Sequence, residues 1–298
     1  MIVYVSQVTS TRRINACLLQ YIYLMNQFVS VIITTRNEEA NLGICLESIR
    51  QQKYKNIETI VVDNASTDKT KQVAKQYDAL VYDKGPERSA QRNFGALKAK
   101  GEFLLFLDAD MILTPLVIDE CVNRMQKNAV IEALVVPEKS IGSGFWAKCK
   151  ALERSFYEGI DWIEAARFYR KECFNAVGGY DVNLTGPEDF DLPQRLKAKY
   201  GDEVIGRISS YIHHNEGALS LGKTLKKKYY YGKKMAQYLR KQENVTLGMK
   251  QGSPFKRYGL YFSKPAVLFR RPMIGLGMLV MKTLEMIALA AGMVRSRI

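Results

Sequence analysis

The run Phe103-Leu-Leu-Phe-Leu107, followed at once by Asp108-Ala-Asp110, constrains this chain most. Five consecutive apolar residues read as a strand with both faces buried, the pattern of a central strand in a parallel sheet. The run stops at two carboxylates spaced i, i+2. Were the extended conformation to continue, period-2 alternation would turn Asp108 and Asp110 to the same side. Ligands of open α/β sheets sit outside the carboxyl ends of the strands, where this pair falls. Two acids converging there repel each other unless a cation is near, so a hard divalent metal is their natural complement.

The same grammar repeats through the first half. Residues 28–34 form a predicted strand running into Thr34-Thr35-Arg36-Asn37-Glu38-Glu39, and a helix is expected from Glu39 with Leu42, Leu46 and Ile49 on one face. Residues 57–62 are a second strand ending at Asp63, with a turn and cap over 64–68 before a polar helix of about ten residues. A short strand over 79–82 precedes a basic helix over 88–100 that carries Arg92 and Asn93. Thr114-Pro115 fits an N-cap with proline at the first position of a helix reaching Lys127, and 130–137 is a further strand. This alternation predicts an α/β fold, a Rossmann-like and mostly parallel sheet flanked by helices. Thr34 with Glu38, Asp63, and Asp108 with Asp110 all end strands that feed one sheet edge, which marks that edge as the functional one.

At 298 residues the chain can bury a substantial core. Its net charge of +14 points to acidic partners: nucleic acid, anionic lipid or phosphorylated substrates. The glycine-rich cradles for dinucleotides and triphosphates are absent, so phosphate handling falls to a metal and to basic side chains. Cys17, Cys45, Cys121, Cys149 and Cys173 are odd in number and widely spaced, which reads as reduced thiols in a cytosolic compartment. Residues 1–27 read as an N-terminal extension without a secretory cleavage site, and Met25 would serve as an alternative start.

The second half is less regular. An aromatic-rich helical stretch over 144–162 leads through Gly178-Gly179-Tyr180-Asp181 to Thr185-Gly186-Pro187-Glu188-Asp189, which sets Glu188 and Asp189 at a helix N-terminus. His213 and His214 are adjacent, and neighbours on a strand face opposite ways, so at most one reaches a shared metal. A basic, tyrosine-rich helix over 220–241 precedes an apolar stretch over 273–294, interrupted by Lys282 and Glu285. These two can pair at i, i+3. Burying a lysine at a bilayer centre costs roughly 2.5–3.5 kcal/mol. An amphipathic helix in the interface or docked on the protein is therefore expected ahead of a span, which stays open.

Three segments carry a family resemblance: Val29-Ser-Val-Ile-Ile-Thr34-Thr35-Arg36-Asn37-Glu38-Glu39-Ala-Asn41-Leu42, Val61-Val62-Asp63-Asn64-Ala65-Ser66-Thr67-Asp68, and Leu107-Asp108-Ala109-Asp110. Together they resemble glycosyltransferase family 2, whose GT-A fold binds nucleotide sugars. Gly186-Pro187-Glu188-Asp189 looks like the family's Glu-Asp motif with one inserted proline. The resemblance implies a nucleotide-sugar-binding half over 28–140 and an acceptor and catalytic half over 141–218, while the basic and apolar residues of 219–298 read as a membrane-associating helical region. It implies that Thr34 and Asp63 contact the nucleoside base with Glu38 nearby, and that Arg92 reaches the base or diphosphate. Arg36 stands where the family has an aromatic residue. Asp108 would hold ribose and metal, Asp110 the metal, and His214 would complete metal or diphosphate binding, with His213 in reserve. The implied activity is inverting hexosyl transfer with Mg²⁺ or Mn²⁺, from a UDP- or GDP-linked sugar to a hydroxyl on a lipid-linked or cell-envelope glycan. Asp189, with Glu188, would serve as the base.

The expected location is the cytoplasmic face of a membrane with an anionic surface. Nucleic acid is not expected, because the basic residues gather near the apolar C-terminal stretch and an acidic cleft repels a phosphate backbone. The alternative is a non-catalytic nucleotide-sugar or nucleic-acid-binding module.

Overall fold

The computed structural model describes residues 27–184, 186–239 and 253–295. The N-terminal extension, except Gln27, lies outside the described residues, as do Cys17, Thr185, Arg240 and Lys241.

The strands are β1 (Val29–Thr35), β2 (Ile57–Asp63), β3 (Leu80–Asp83), β4 (Phe103–Asp108), β5 (Met111–Leu113), β6 (Ala133–Val135), β7 (Glu138–Ser143), β8 (Ala166–Arg170), β9 (Ile205–Arg207) and β10 (Ile212–Ala218). The helices are α1 (Glu39–Arg50), α2 (Thr70–Gln76), α3 (Arg88–Lys98), α4 (Val117–Lys127), α5 (Gly144–Ser155), α6 (Lys171–Ala176), α7 (Glu188–Tyr200), α8 (Leu221–Leu239), α9 (Pro254–Phe262), α10 (Pro265–Leu268) and α11 (Pro272–Arg295).

Seven strands form one sheet in the order β3-β2-β1-β4-β8-β6-β9. The first four run parallel, β8 is antiparallel to both β4 and β6, and β9 is parallel to β6. The unbroken apolar runs follow from coverage on both faces. Val31, Ile33, Leu105 and Leu107 pack in one cluster with Leu42, Leu46 and Ile49 of α1 and with Val117, Ile118, Cys121 and Met125 of α4. Ile32, Ile60, Leu104 and Phe106 fall in another with Ala96, Phe174, Leu192 and Leu196. Burying each of the larger side chains contributes about 1.5–3 kcal/mol.

The register sets the site. Thr34 pairs with Asp108 and with Val62, and Thr35 pairs with Asp63, so the polar ends of three strands line up in one row. β4 ends at Asp108, and the chain turns at Ala109 and Asp110 into β5. The extended conformation therefore does not persist through both acids. β5 belongs to a second sheet, β5-β10-β7, which carries the histidines to the same edge.

Some boundaries differ from expectation. The strand foreseen over 130–137 is confined to Ala133–Val135, and 138–143 crosses to the second sheet. The helix foreseen from Pro115 begins at Val117, because Thr114 donates both its backbone N–H and its hydroxyl to the carbonyl of Tyr211. The helix after Asp68 has seven residues.

The helix α11 lies against α8 and α5. Lys282 and Glu285 point inward and pair with each other at 3.0 Å, while Lys282 Nζ also stands 2.6 Å from Glu153. The face turned out carries Met273, Leu276, Val280, Ile287 and Val294, a stripe at helical spacing. By length and composition the helix could cross a membrane, and a third of its most apolar window is buried against the protein.

Helices α8 and α11 cross at Gly232 and Gly292. A Cβ on Gly232 would strike the carbonyl of Leu289, and one on Gly292 the carbonyl of Tyr229. Gly292→Val is expected to destabilise the protein by about 1–3 kcal/mol through overpacking. Gly222→Ala, where a Cβ meets no atom within 4 Å, serves as the neutral control. Thermal denaturation of the two variants checks the difference.

Candidate active site

A buried arginine joins the two halves of the site. Arg92 sits one turn after Arg88 on α3, and α3 is pinned to the strand ends by Gln91, whose amide donates to the carbonyls of Thr35 and Val62. Arg92 has no exposed surface. Its Nη1 is 2.6 Å from Asp189 Oδ1 and its Nη2 is 3.1 Å from Asp108 Oδ1. The guanidinium also lies over the Tyr180 ring at 5.1 Å, and Asn93 clamps Tyr180 through two hydrogen bonds to its backbone. In this arrangement Arg92 is covered on every side by these partners. Burial opposes its charge, and Asp189 and Asp108 outweigh that and hold it.

Asp108 is shared among cations. Besides Arg92, it has Arg88 at 3.5 Å and receives the Thr34 hydroxyl at 3.2 Å. Burial alone would raise its pKa, but Arg92, Arg88 and Arg167 outweigh that and hold it well below the usual carboxylate range. Glu188 and Asp189 open α7, as their position after Gly186-Pro187 predicts. They do different things. Asp189 reaches a cavity, whereas the Glu188 side chain is fully buried, lies 2.9 Å from Arg88 and accepts from the Gly186 N–H. Burial raises the Glu188 pKa. Glu188 thus ties the loop before α7 to α3.

Asp110 and His214 meet on the other side of Asp108. His214 Nε2 is 3.3 Å from Asp110 Oδ2, and its Nδ1 is 3.3 Å from Glu138 Oε2. Burial would lower the His214 pKa, but the hydrogen bonds to Asp110 and Glu138 push it up to about 9. Glu138 is held well below its ordinary value, since Arg167 and Arg154 outweigh its burial. His213 faces the other way, edge-on to Tyr211 at 5.1 Å, with its pKa lowered by burial and by Lys139. Glu38 is half-buried and bonded to Asn41. Burial and the nearby charges of Asp110 and Asp108 raise its pKa.

The expected set of Asp108, Asp110 and His214 does not form a closed metal cage. No group of three or more His, Cys, Asp or Glu side chains is poised to hold an ion among the described residues. The reason is the turn after β4, which leaves Asp108 to the arginines and sends Asp110 to His214. The donor set still fits a hard divalent ion. Asp110 Oδ1 is buried without a hydrogen-bond partner, and an octahedral ion needs only one or two carboxylates when phosphate and water fill the rest.

The remaining expected residues lie along the strand ends. Asp63 has no exposed side-chain surface; it accepts from the Thr35 hydroxyl at 2.8 Å and from the Ser66 N–H at 2.8 Å, so it anchors the loop after β2. An open hollow beside it is lined by Asn64, Lys71, Asp83 and Lys84. Thr34 is spent on Asp108, and Arg36 is exposed on the loop after β1.

A second, deeper cavity of about 420 Å³ starts at Asp108, Asp189 and His214 and runs towards α5, α8 and α11. Sequence reasoning missed Arg88, Glu138, Arg154 and Arg167 on its wall. Arg88 carried a usable signal, four residues before Arg92 on one helical face. The others come from three separate elements, Glu138 from β7, Arg154 from α5 and Arg167 from β8, and only the tertiary fold assembles them.

The chain matches the profile of glycosyl transferase family 2 over residues 30–182. It is 27% identical over 181 residues to an uncharacterised glycosyltransferase of Haemophilus influenzae, covering 56% of this chain and 61% of that protein. It is 28% identical over 197 residues to the beta-monoglucosyldiacylglycerol synthase of a Nostoc species, covering 57% of this chain and 41% of that one. The chain thus spans less than two thirds of either curated relative. Its fold is similar to that of a Pyrobaculum calidifontis mannosyltransferase in complex with GDP-mannose and Mn²⁺, with a TM-score of 0.59, 15% identity, and coverage of 91% and 87% of the two chains. With a matched profile spanning half of its length and a GT-A sheet beneath the acidic row, the chain belongs to glycosyl transferase family 2.

Proposed function

We propose that the protein is a metal-dependent, inverting glycosyltransferase that moves a hexose from a UDP- or GDP-sugar to a hydroxyl of a lipid-linked or cell-envelope glycan. The observation that carries this reading is Asp189, held 2.6 Å from Arg92 at the mouth of a deep cavity and beside the acidic row of the sheet edge. The nucleotide lies along the strand ends of residues 28–140, over the hollow beside Asp63, and the acceptor enters the cavity walled by 141–218 and the helices beyond. The Pyrobaculum mannosyltransferase, which holds GDP-mannose and Mn²⁺, supports a metal-bridged donor.

The chain's own residues divide the work. Asp189 takes the proton from the acceptor hydroxyl, and its ion pair with Arg92 keeps it aimed. Asp110 and His214 would hold Mg²⁺ or Mn²⁺, which stabilises the charge of the departing diphosphate. As a ligand His214 would be neutral, since a ligating imidazole carries no extra proton. Arg88 and Arg167 keep Asp108 and Glu138 charged at the edge of the cavity.

The outward stripe of α11, together with exposed Phe255, Phe262 and Phe269, forms an apolar surface beside Lys256, Lys264, Arg270 and Arg271. We read it as resting on an anionic bilayer at the cytoplasmic face, with α11 in the interface plane. Diacylglycerol, named as the glycolipid base in the Nostoc relative, is the kind of anchored acceptor such a position suits.

A panel of UDP- and GDP-sugars with Mn²⁺ or Mg²⁺ tests the chemistry through thermal stabilisation and nucleotide release. One donor is expected to stabilise the protein only with metal, and Asp110→Ala to abolish that response. Asp189→Asn is expected to keep donor stabilisation and lose transfer by about 100-fold or more. A silent panel with metal present and the protein folded would sink the reading, and a fully active Asp189→Asn would remove Asp189 as the base. Vesicle co-sedimentation tests the surface. Wild type is expected to bind anionic vesicles, and Leu276→Asp with Ile287→Asp to release them without lowering Tm. Equal binding by both proteins would reject the stripe as the contact.

A further inference from the structure

Helices α5, α8 and α11 bring more positive charge to the cavity than their docking requires. Glu153 receives Lys150 at 2.7 Å and Lys282 at 2.6 Å, and Glu285 receives Lys282 at 3.0 Å and Lys150 at 3.4 Å. Two ammonium groups and two carboxylates thus close a neutral, mutually bonded set that fastens α11 to α5. Lys228 of α8 is a fifth member. Its nearest carboxylate oxygen, on Glu285, is 3.9 Å away, beyond hydrogen-bond distance, and its side chain is 30% exposed. Lys150, Lys228, Lys282, Glu153 and Glu285 all line the cavity that begins at Asp189.

An ammonium that opens onto a cavity, with its nearest carboxylate already bonded to two other lysines, is free to take an anion from that cavity. We propose that Lys228, backed by Lys150 and Lys282, binds a phosphate group carried by the acceptor, and so selects acceptors with a phosphate at a fixed reach from the reacting hydroxyl. This rests on the reading of the cavity as the acceptor chamber. The alternative, that the cluster serves docking alone, gives Lys228 only a loose 3.9 Å pairing with Glu285, whose oxygens Lys150 and Lys282 already approach more closely.

The lysine also reports on its surroundings. The attraction of Glu285 is outweighed by burial and by the charges of Lys150 and Lys282, which pull the Lys228 pKa down to about 7. An anion placed beside it reverses that balance. Beyond the cluster the wall turns apolar with Met235, Met286 and Leu289, so the phosphate would sit where a polar head meets an apolar tail.

The test uses the full chain with its nucleotide site saturated by nucleoside diphosphate and Mn²⁺, so that added phosphate cannot report on the donor pocket. Inorganic phosphate, glycerol phosphate and hexyl phosphate are titrated at low salt and followed by thermal shift. Saturable stabilisation is expected in wild type, weakened about tenfold or more in Lys228→Met. Lys228→Arg is expected to retain it. Tighter binding of hexyl phosphate than of glycerol phosphate would assign a lipid source, and equal binding a soluble one. A second readout needs no variant: acylation of Lys228 near neutral pH, followed by mass spectrometry, is expected to be suppressed by the same phosphates. An unprotected Lys228 at saturating phosphate, or an equal phosphate response in wild type and Lys228→Met, overturns the proposal. A protein that ignores every nucleotide yet shows the Lys228-dependent phosphate response would reject the transferase reading and keep the anion site.

Discussion

Everything at the functional edge hangs on one guanidinium. Arg92 is wholly buried and holds Asp108, at the end of a central strand, and Asp189, at the start of a distant helix, 97 residues further along the chain than itself. Removing one partner of such a buried pair is costly, about 3–5 kcal/mol, because the remaining charge is stranded. The pair is therefore less a bonus to stability than a geometric clamp. It sets the distance between the acid row of the sheet and the acid that faces the cavity, and Tyr180, gripped by Asn93, closes the clamp from behind.

Around that clamp the charges alternate in sign. Asp108 stands between Thr34, Arg88 and Arg92; Glu138 between Arg154, Arg167 and His214; and Asp110 beside His214. A dense lattice of this kind keeps carboxylates ionised in a buried setting, which a water-filled cleft would do by solvation. The ionised groups are then preorganised before any ligand arrives, the condition under which electrostatic stabilisation is most effective.

The sheet was legible because each strand of the first half is an apolar run that stops at a polar residue, and the parallel register then aligns those stops. The acids at the start of α7 were legible from the Gly-Pro before them. What misled was local continuity. Asp108 and Asp110 are two residues apart, yet the turn between β4 and β5 gives them separate partners, and no spacing rule anticipates that. Glu138, Arg154 and Arg167 were invisible for a related reason: nothing in their neighbourhoods marks them, and they meet only where the second sheet, α5 and β8 come together. At the C-terminal end the Lys282–Glu285 pair was readable from its spacing, while Glu153 and Lys150, which decide the direction in which that pair points, lie more than a hundred residues away.

The glycine crossing of α8 and α11 has a consequence for scale. Two helices that touch backbone to backbone at Gly232 and Gly292 have little freedom to slide or roll, since any shift drives a side chain into a carbonyl. One of these helices bears Lys228 on the cavity wall, and the other bears the outward apolar stripe. The pair therefore acts as a ruler. The distance from the outward stripe to the wall of the cavity is thereby fixed by backbone contact rather than by side chains.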